Sequence, residues 1–329
     1  MHSNPQRDPE LRLIGQTDIR VAPVALGCWP LSGMTREGIS AADAAATLDA
    51  CFECDVNFFD TAYNYGLTGE SETLIGRAIA GRRDRAVIAT KCGIHWQPPR
   101  TMTLDAHPET LRRHFEESLR RLGADHVDLL YLHAPDPAVP LAESAGALGK
   151  LLQAGKTRAV GVSNVSLAQL KEFAAACPLS AYQPPYNMLQ RQIEADTLPW
   201  CVENDVSVIV YWPLLKGLLA GKLPRDYVFP TTDSRHKYPP FQGLEWQRNQ
   251  DFLDRLRPIA AETGRTLAQL AINWTIHRPG ITAALCGATR PGQLRENAAA
   301  MGWSLSADQS ARIDAALSER GAALMRAPV

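Results

Sequence analysis

The chain has 329 residues, 45% of them apolar and 21% charged, with a formal net charge of -1. That near-neutral balance supplies no electrostatic footprint for nucleic acid or a membrane surface, and no apolar run approaches the length of a membrane span. A small uncharged or mixed-charge substrate and a cytoplasmic location are therefore expected.

Met1 to Glu10 is polar, carries Pro5 and Pro9, is unlike a signal peptide, and is expected to be disordered. Leu11 to Ile14 and Ile19 to Val21, separated by Gly15 to Asp18, predict a short hairpin that would plug a barrel floor. Val24 to Leu26 predicts the first barrel strand, and Ser40 caps a helix running to about Cys54. Cys51 and Cys54 form a CxxC without a second pair for zinc, so no metal site is expected. Seven scattered cysteines fit a reducing compartment. Asn57 to Phe59 then lead to Asp60, where an apolar strand gives out, with Tyr65 one tight turn later beside Gly66.

A helix over 70–80 precedes a third strand, Ala86 to Lys91, and a long loop with Trp96, Pro98 and Pro99 leads to a helix opening at Pro108. Leu111, Phe115, Leu119 and Leu122 share one face of that helix, and Gly123 marks its stop. Strand four runs from Val127 to His133, strand five from Arg158 to Val162, strand six from Ala181 to Gln183, strand seven from Val206 to Tyr211 and strand eight from Ala283 to Cys286. Helices follow strand four (about Leu141 to Ala154), strand five (Ser166 to Ala176) and strand eight (about Pro291 to Ala300), and a last one runs from Ser306 to Ser318. Lys222 to Gly243, with four prolines and mixed charge, is too long for a plain connection and predicts a lid or cofactor-clasping loop. The C-terminal tail is expected to pack over the barrel mouth. Eight strands alternating with helices predict a closed (β/α)8 barrel, one domain spanning 1–329.

Polar residues gather at the carboxyl ends of these strands: Asp60, Lys91, His133, Ser163 with Asn164, Gln183, Tyr211, and Gly287 with Thr289 and Arg290. Any one of them has a bland reading as a strand terminus. Together they put an acid, a base and a phenol where barrels bind ligands. Tyr65 suits a general acid if an ammonium lowers its pKa from about 10. Lys91 is that ammonium, Asp60 its counter-charge, and His133 a donor that would polarise a substrate carbonyl with Tyr65. No activated Ser or Cys nucleophile, metal cluster or carboxylate pair is evident, so the attacking group is expected to be a cofactor hydride.

From about Leu11 to Asn297 the sequence resembles the aldo-keto reductase superfamily, most closely bacterial general-stress reductases and more distantly potassium-channel beta subunits. The likeness rests on Asp60 to Gly66 (DTAxxYG), Ala89 to Lys91, Leu132-His133, Gly161 to Asn164 (GVSN), Gln183 to Asn187, Tyr211 to Lys222 and Gly287 to Asn297. It implies a catalytic set of Asp60, Tyr65, Lys91 and His133, with NADPH or NADP+ as cofactor. Ser163, Asn164 and Gln183 would bond the nicotinamide carboxamide and Tyr211 would stack on its ring. The segment from Pro213 through Leu214 and Gly217 to Lys222 would embrace the pyrophosphate. Gly287, Thr289 and Arg290 would serve the 2′-phosphate end, and Gln293, Glu296 and Asn297 the adenosine. Trp29 and Trp96 are candidates for substrate contact at the mouth, beside Tyr65 and His133, and Trp29 also for cofactor contact. Either tryptophan has an equal reading as a core plug.

The family pattern usually has Gln where Tyr131 stands and a small residue where Trp212 stands, which bears on substrate and cofactor fit and leaves the reaction class alone. The expected activity is NADPH-dependent reduction of a small-molecule carbonyl. The alternatives are a sugar or other alcohol dehydrogenase favouring oxidation and a nucleotide-sensing regulatory subunit. No nucleic-acid or membrane partner is expected, and the oligomeric state stays open with a monomer favoured.

Overall fold

Strands that are apolar on both faces need cover on both, and eight such strands close here into a parallel barrel ringed by helices. The computed structural model describes residues 10–34, 39–231 and 233–323. The expectations of a disordered start and of a tail over the mouth fall largely on residues 1–9 and 324–329, outside the described residues.

The chain opens with the hairpin β1 (Arg12–Leu13) and β2 (Arg20–Val21). The barrel strands are β3 (Val24–Gly27), β4 (Phe58–Asp60), β5 (Val87–Cys92), β8 (Val127–Leu132), β9 (Thr157–Ser163), β10 (Ala181–Gln183), β11 (Ser207–Tyr211) and β12 (Ile281–Gly287), paired in that order with β12 returning to β3. Helices α1 (Ala41–Glu53), α2 (Glu70–Ile79), α3 (Pro108–Leu122), α4 (Leu141–Gln153), α5 (Leu167–Ala176) and α6 (Thr197–Glu203) follow the first six barrel strands in turn. The opening hairpin does cover the floor: Gly15 N donates to Ser207 Oγ at 2.9 Å, and Arg12 Nη1 donates to the carbonyls of Ile276 and Ile281 at the amino end of β12.

Two parts of the chain differ from the sequence expectation. The stretch expected as a loop around Trp96 is a second hairpin, β6 (Ile94–Gln97) with β7 (Thr101–Leu104), because the two prolines occupy only its tip while the flanking residues pair. Between β11 and β12 lie two helices that amino-acid pattern left unassigned, α7 (Gly243–Glu262) and α8 (Leu267–Ile276); the last two are α9 (Pro291–Ala298) and α10 (Ala307–Arg320). α7 carries Pro258 in its interior and has a mixed polar surface, which hides its period, whereas α8 opens with a capping box of Thr266 and Gln269. The segment expected as a lid, 222–243, runs through two 3-10 turns (Ser234–Lys237 and Pro239–Phe241) into α7, and Phe229 packs edge-on against Phe241 and Trp246.

Strand periodicity sorts the core into two layers. Ala25, Phe58, Ala89, Leu129, Tyr131, Ala159, Ala181, Ile209 and Ala283 fill the barrel interior with Ile14, Ile19 and Val21 of the floor hairpin, small side chains interleaving with large. Their strand neighbours Leu26, Phe59, Ile88, Leu130, Val160, Val162 and Val210 face out, against helices that include the Leu111, Phe115, Leu119 and Leu122 stripe of α3. The same alternation sets the site. Two residues beyond Phe58 comes Asp60, beyond Ala89 Lys91, beyond Tyr131 His133, beyond Gly161 Ser163, beyond Ala181 Gln183, and beyond Ile209 Tyr211. Each is the next inward position at the carboxyl end of its strand.

Candidate active site

Lys91 and Asp60 form the centre. Both are 1% exposed, and Lys91 Nζ donates to Asp60 Oδ1 at 2.5 Å and to the carbonyl of Thr61 at 2.8 Å. Lys91 Nζ also lies 3.3 Å from the hydroxyl of Tyr65, which is half-buried. The other oxygen of Asp60 accepts from Gln183 Nε2 at 2.8 Å. A carboxylate and an ammonium removed from water this completely each resist ionisation, so burial pushes Asp60 up and Lys91 down, while their mutual contact opposes both shifts.

The expected lowering of the Tyr65 pKa is not found. Burial, with the Asp60 charge and then Cys28 behind it, holds the phenol well above its ordinary value. The physical reason is that removal from water penalises the phenolate, and the Asp60 carboxylate beside the ammonium adds to that penalty. Tyr65 is therefore a phenol and not a phenolate at neutral pH, which leaves it a proton to donate. Its ring packs edge-on against Trp29, with centroids 5.1 Å apart, and stands 6.0 Å from the ring of His133. Burial, then the Lys91 charge, pushes His133 well below the ordinary histidine range, so the imidazole is neutral and has one N–H to donate. Its Nδ1 is buried without a hydrogen bond.

Around this centre a hydrogen-bonded chain links the ends of four strands. Ser163 Oγ donates to Gln183 O at 2.8 Å, Asn164 Nδ2 to His133 O at 2.9 Å, and Tyr211 OH to Asn164 Oδ1 at 2.8 Å. Asn164 adopts a left-handed φ of 58°, a conformation Asn tolerates better than most residues. Trp212 has a positive φ of 60°, and beyond it Lys216 Nζ rests between the rings of Trp212 (4.3 Å) and Tyr238 (4.4 Å). Trp96 is half-buried on β6 and donates from Nε1 to Asn64 O at 2.8 Å, so neither tryptophan candidate is a core plug.

Among the described residues, the remaining candidates form a second group with no hydrogen bond to Asp60, Tyr65, Lys91 or His133. Pro213, Leu214 and Gly217 lie in the turn after β11, where Gly217 has a φ of 89°, and Lys222 pairs with Glu296 of α9 at 2.7 Å. Gln293 Oε1 accepts from Thr289 N and Oγ1, Asn297 Nδ2 donates to Gly287 O at 3.3 Å, and Arg290 stands exposed as the N-cap of α9. Sequence reasoning missed Arg121, which donates to Tyr63 O in the loop carrying Tyr65, and its partner Glu72, because a helix face gives no sign of a target 58 residues away. Among the described residues no group of three His, Cys, Asp or Glu could hold a metal, and no helix is long and apolar enough to cross a membrane.

The sequence matches known proteins over nearly its whole length. It is 34% identical to the aldo-keto reductase YhdN of Bacillus subtilis (strain 168), over 94% of this chain and 93% of that one. It is 33% identical to the NADH-specific methylglyoxal reductase of Escherichia coli (strain K12), over 89% of this chain and 94% of that one. The fold superposes on the glycerol dehydrogenase AKR11B4 from Gluconobacter oxydans with a TM-score of 0.89 at 34% identity, covering 97% of this chain and 98% of that one. The Aldo/keto reductase family pattern spans residues 23–318, from the first barrel strand to the last helix, and the chain belongs to that family of carbonyl and alcohol oxidoreductases.

Proposed function

We propose that this protein reduces small-molecule aldehydes and ketones with NADPH, Tyr65 being the proton donor. The observation that carries the reading is the buried ammonium of Lys91, 2.5 Å from Asp60 Oδ1 and 3.3 Å from Tyr65 OH. The nicotinamide cofactor, when bound, supplies the hydride. Tyr65 gives its phenolic proton to the substrate oxygen as negative charge develops there, and Lys91 stabilises the phenolate left behind. Asp60 keeps the lysine oriented and charged. Neutral His133 donates a second hydrogen bond to the same oxygen.

The residues present suit such a cofactor by their chemistry. Ser163, Asn164 and Gln183 offer amide and hydroxyl groups complementary to a carboxamide, and Tyr211 offers an aromatic face. A guanidinium at the positive end of a helix is unfavourable by itself, and among the described residues Arg290 forms no ion pair, so the N-cap of α9 suits an anion such as a 2′-phosphate. Thr289, Gln293, Glu296 and Asn297 would flank the adenosine, with Lys222, Gly217, Leu214 and Pro213 along the pyrophosphate and the 222–243 segment as its cover. Trp29 and Trp96 would line the substrate mouth.

The test is cofactor consumption with aldehydes, ketones and sugars, alongside Tyr65→Phe. Turnover that is lost in the variant while cofactor binding stays nearly intact is expected. Full turnover in Tyr65→Phe overturns the assignment, and tight cofactor binding without turnover on any substrate supports a regulatory subunit instead. Oxidation of alcohols is a second reading, favoured by the likeness to a glycerol dehydrogenase; kcat/KM measured in both directions separates the two.

A further inference from the structure

Two consecutive carbonyls immediately before Tyr65 are each held by a side chain from another element. Arg121 of α3 donates from Nη1 to Tyr63 O at 3.0 Å, and Trp96 donates to Asn64 O. Arg121 is itself held on three sides: Nη1 bonds Glu72 Oε2 at 3.1 Å, Nη2 bonds Glu117 Oε1 at 2.7 Å, and the guanidinium lies 4.4 Å from the centre of the Tyr63 ring. Tyr63 OH donates to the other Glu117 oxygen at 2.9 Å and closes the ring of contacts. Gly69, with a φ of 82°, makes room for this, since a Cβ there would come within 2.5 Å of the Arg121 side chain.

Glu72 of α2 is wholly buried, and its second oxygen accepts from Thr90 Oγ1 at 2.6 Å. Thr90 is the residue before Lys91. The network thus ends on the two segments that carry Tyr65 and Lys91, at the Tyr63 carbonyl in one and the Thr90 hydroxyl in the other, and Tyr63 N donates to Lys91 O at 3.0 Å between them. If its only task were to join α2 to α3, an apolar pair would do so without the cost of desolvating a wholly buried carboxylate and a partly buried guanidinium. Its termination on the Tyr63 carbonyl, two residues before Tyr65, and on the Thr90 hydroxyl, beside Lys91, is what a purely cohesive role leaves unexplained.

We infer that Arg121 and Glu72 are positioning residues that fix the separation of the Tyr65 hydroxyl from the Lys91 ammonium and hold the phenol where it must donate. The inference rests on the reading of Tyr65 as proton donor. Misplacing a reacting group by about 1 Å costs on the order of a hundredfold in rate, so Arg121→Met and Glu72→Gln are expected to lower kcat by roughly ten- to a hundredfold. Cofactor Kd should stay within about twofold of wild type, because neither residue belongs to the proposed cofactor surface.

The decisive experiment is a double-mutant cycle with the intact enzyme. Arg121→Met is measured alone and in the Tyr65→Phe background, together with the solvent isotope effect on kcat. If Arg121 acts through the phenol, it has no further effect on the residual turnover of Tyr65→Phe, and the single variant shows a raised solvent isotope effect. Equal fractional losses in both backgrounds, or no loss in either, overturn the inference. Should Arg121→Met not fold, Arg121→Lys keeps the charge, cannot reach both Tyr63 O and Glu117, and enters the same cycle with an intermediate loss expected. Full activity in Tyr65→Phe alone would instead strike the functional reading, so the two failures are distinct.

Discussion

The ring of Tyr131 lies across the backbone of Gly161 on the neighbouring strand. The two residues are paired in the register of β8 and β9, and a Cβ on Gly161 would stand 2.4 Å from Tyr131 Cε1 and 2.8 Å from Ala181 O. The glycine of the GVSN motif is here the space into which an interior tyrosine fits. Gly161→Ala should therefore destabilise the protein by about 1–3 kcal/mol through overpacking. Tyr131→Leu should relieve only part of that, because the Ala181 carbonyl remains. Urea denaturation of the two single variants and the double variant checks this, and full rescue would mean that the carbonyl yields.

The buried Asp60 and Lys91 pair makes a stability prediction independent of turnover. Lys91→Met leaves a buried carboxylate with Gln183 as its remaining partner, and breaking such a pair costs about 3–5 kcal/mol. Adding Asp60→Asn removes the stranded charge. The double variant should be more stable than Lys91→Met alone while remaining inactive, which thermal unfolding and an activity assay together decide.

Acid sensitivity should come in part from His114, stacked 3.9 Å from Tyr63. Burial first, then the charges of His95 and Arg113, push its pKa down to about 4, against the lesser opposing pull of Asp105 and Glu117. The unfolded chain takes up this proton near pH 6.5 and the folded chain only near 4, so stability is full above about 6.5 and falls as pH drops through that window. The loss attributable to His114 reaches about 3 kcal/mol. His114→Phe keeps an aromatic ring against Tyr63 and should flatten the slope between those pH values in chemical denaturation. An unchanged slope would assign the sensitivity to other groups.

On the proposed reading, nucleotide choice turns on Arg290. A charged hydrogen bond to a 2′-phosphate is worth on the order of 1.5–3 kcal/mol, which corresponds to roughly a tenfold to hundredfold preference for NADPH. Arg290→Ala should weaken NADPH binding by about that factor and leave NADH binding little changed. Calorimetric titration of both nucleotides decides it: equal losses, or none, reject the role. The comparison matters here because a relative 33% identical is an NADH-specific reductase.

Much of the barrel was legible in the amino-acid sequence because each strand carries its own period-two pattern and its own polar terminus. Asp60, Lys91, His133, Ser163, Gln183 and Tyr211 could be placed at strand ends from local sequence, and the same parity that buries Phe58, Ala89 and Tyr131 turns them inward. The β6 and β7 hairpin was hidden because its prolines read as loop, and α7 because an interior proline and a mixed surface blur its period.

What only the tertiary structure decided are relationships between residues far apart in the chain. The protonation of Tyr65 depends first on its burial and then on the nearby Asp60 charge, which no spacing expresses. Arg121 reaches Tyr63 O across 58 residues, and Gly161 answers to Tyr131 only because β8 and β9 lie side by side in that register. Local sequence determined which side chains arrive at the barrel mouth, since periodicity and strand termini are short-range properties. Their separations, charges and supporting bonds were set by closure of the barrel, which alone brings those strands and helices within hydrogen-bonding reach.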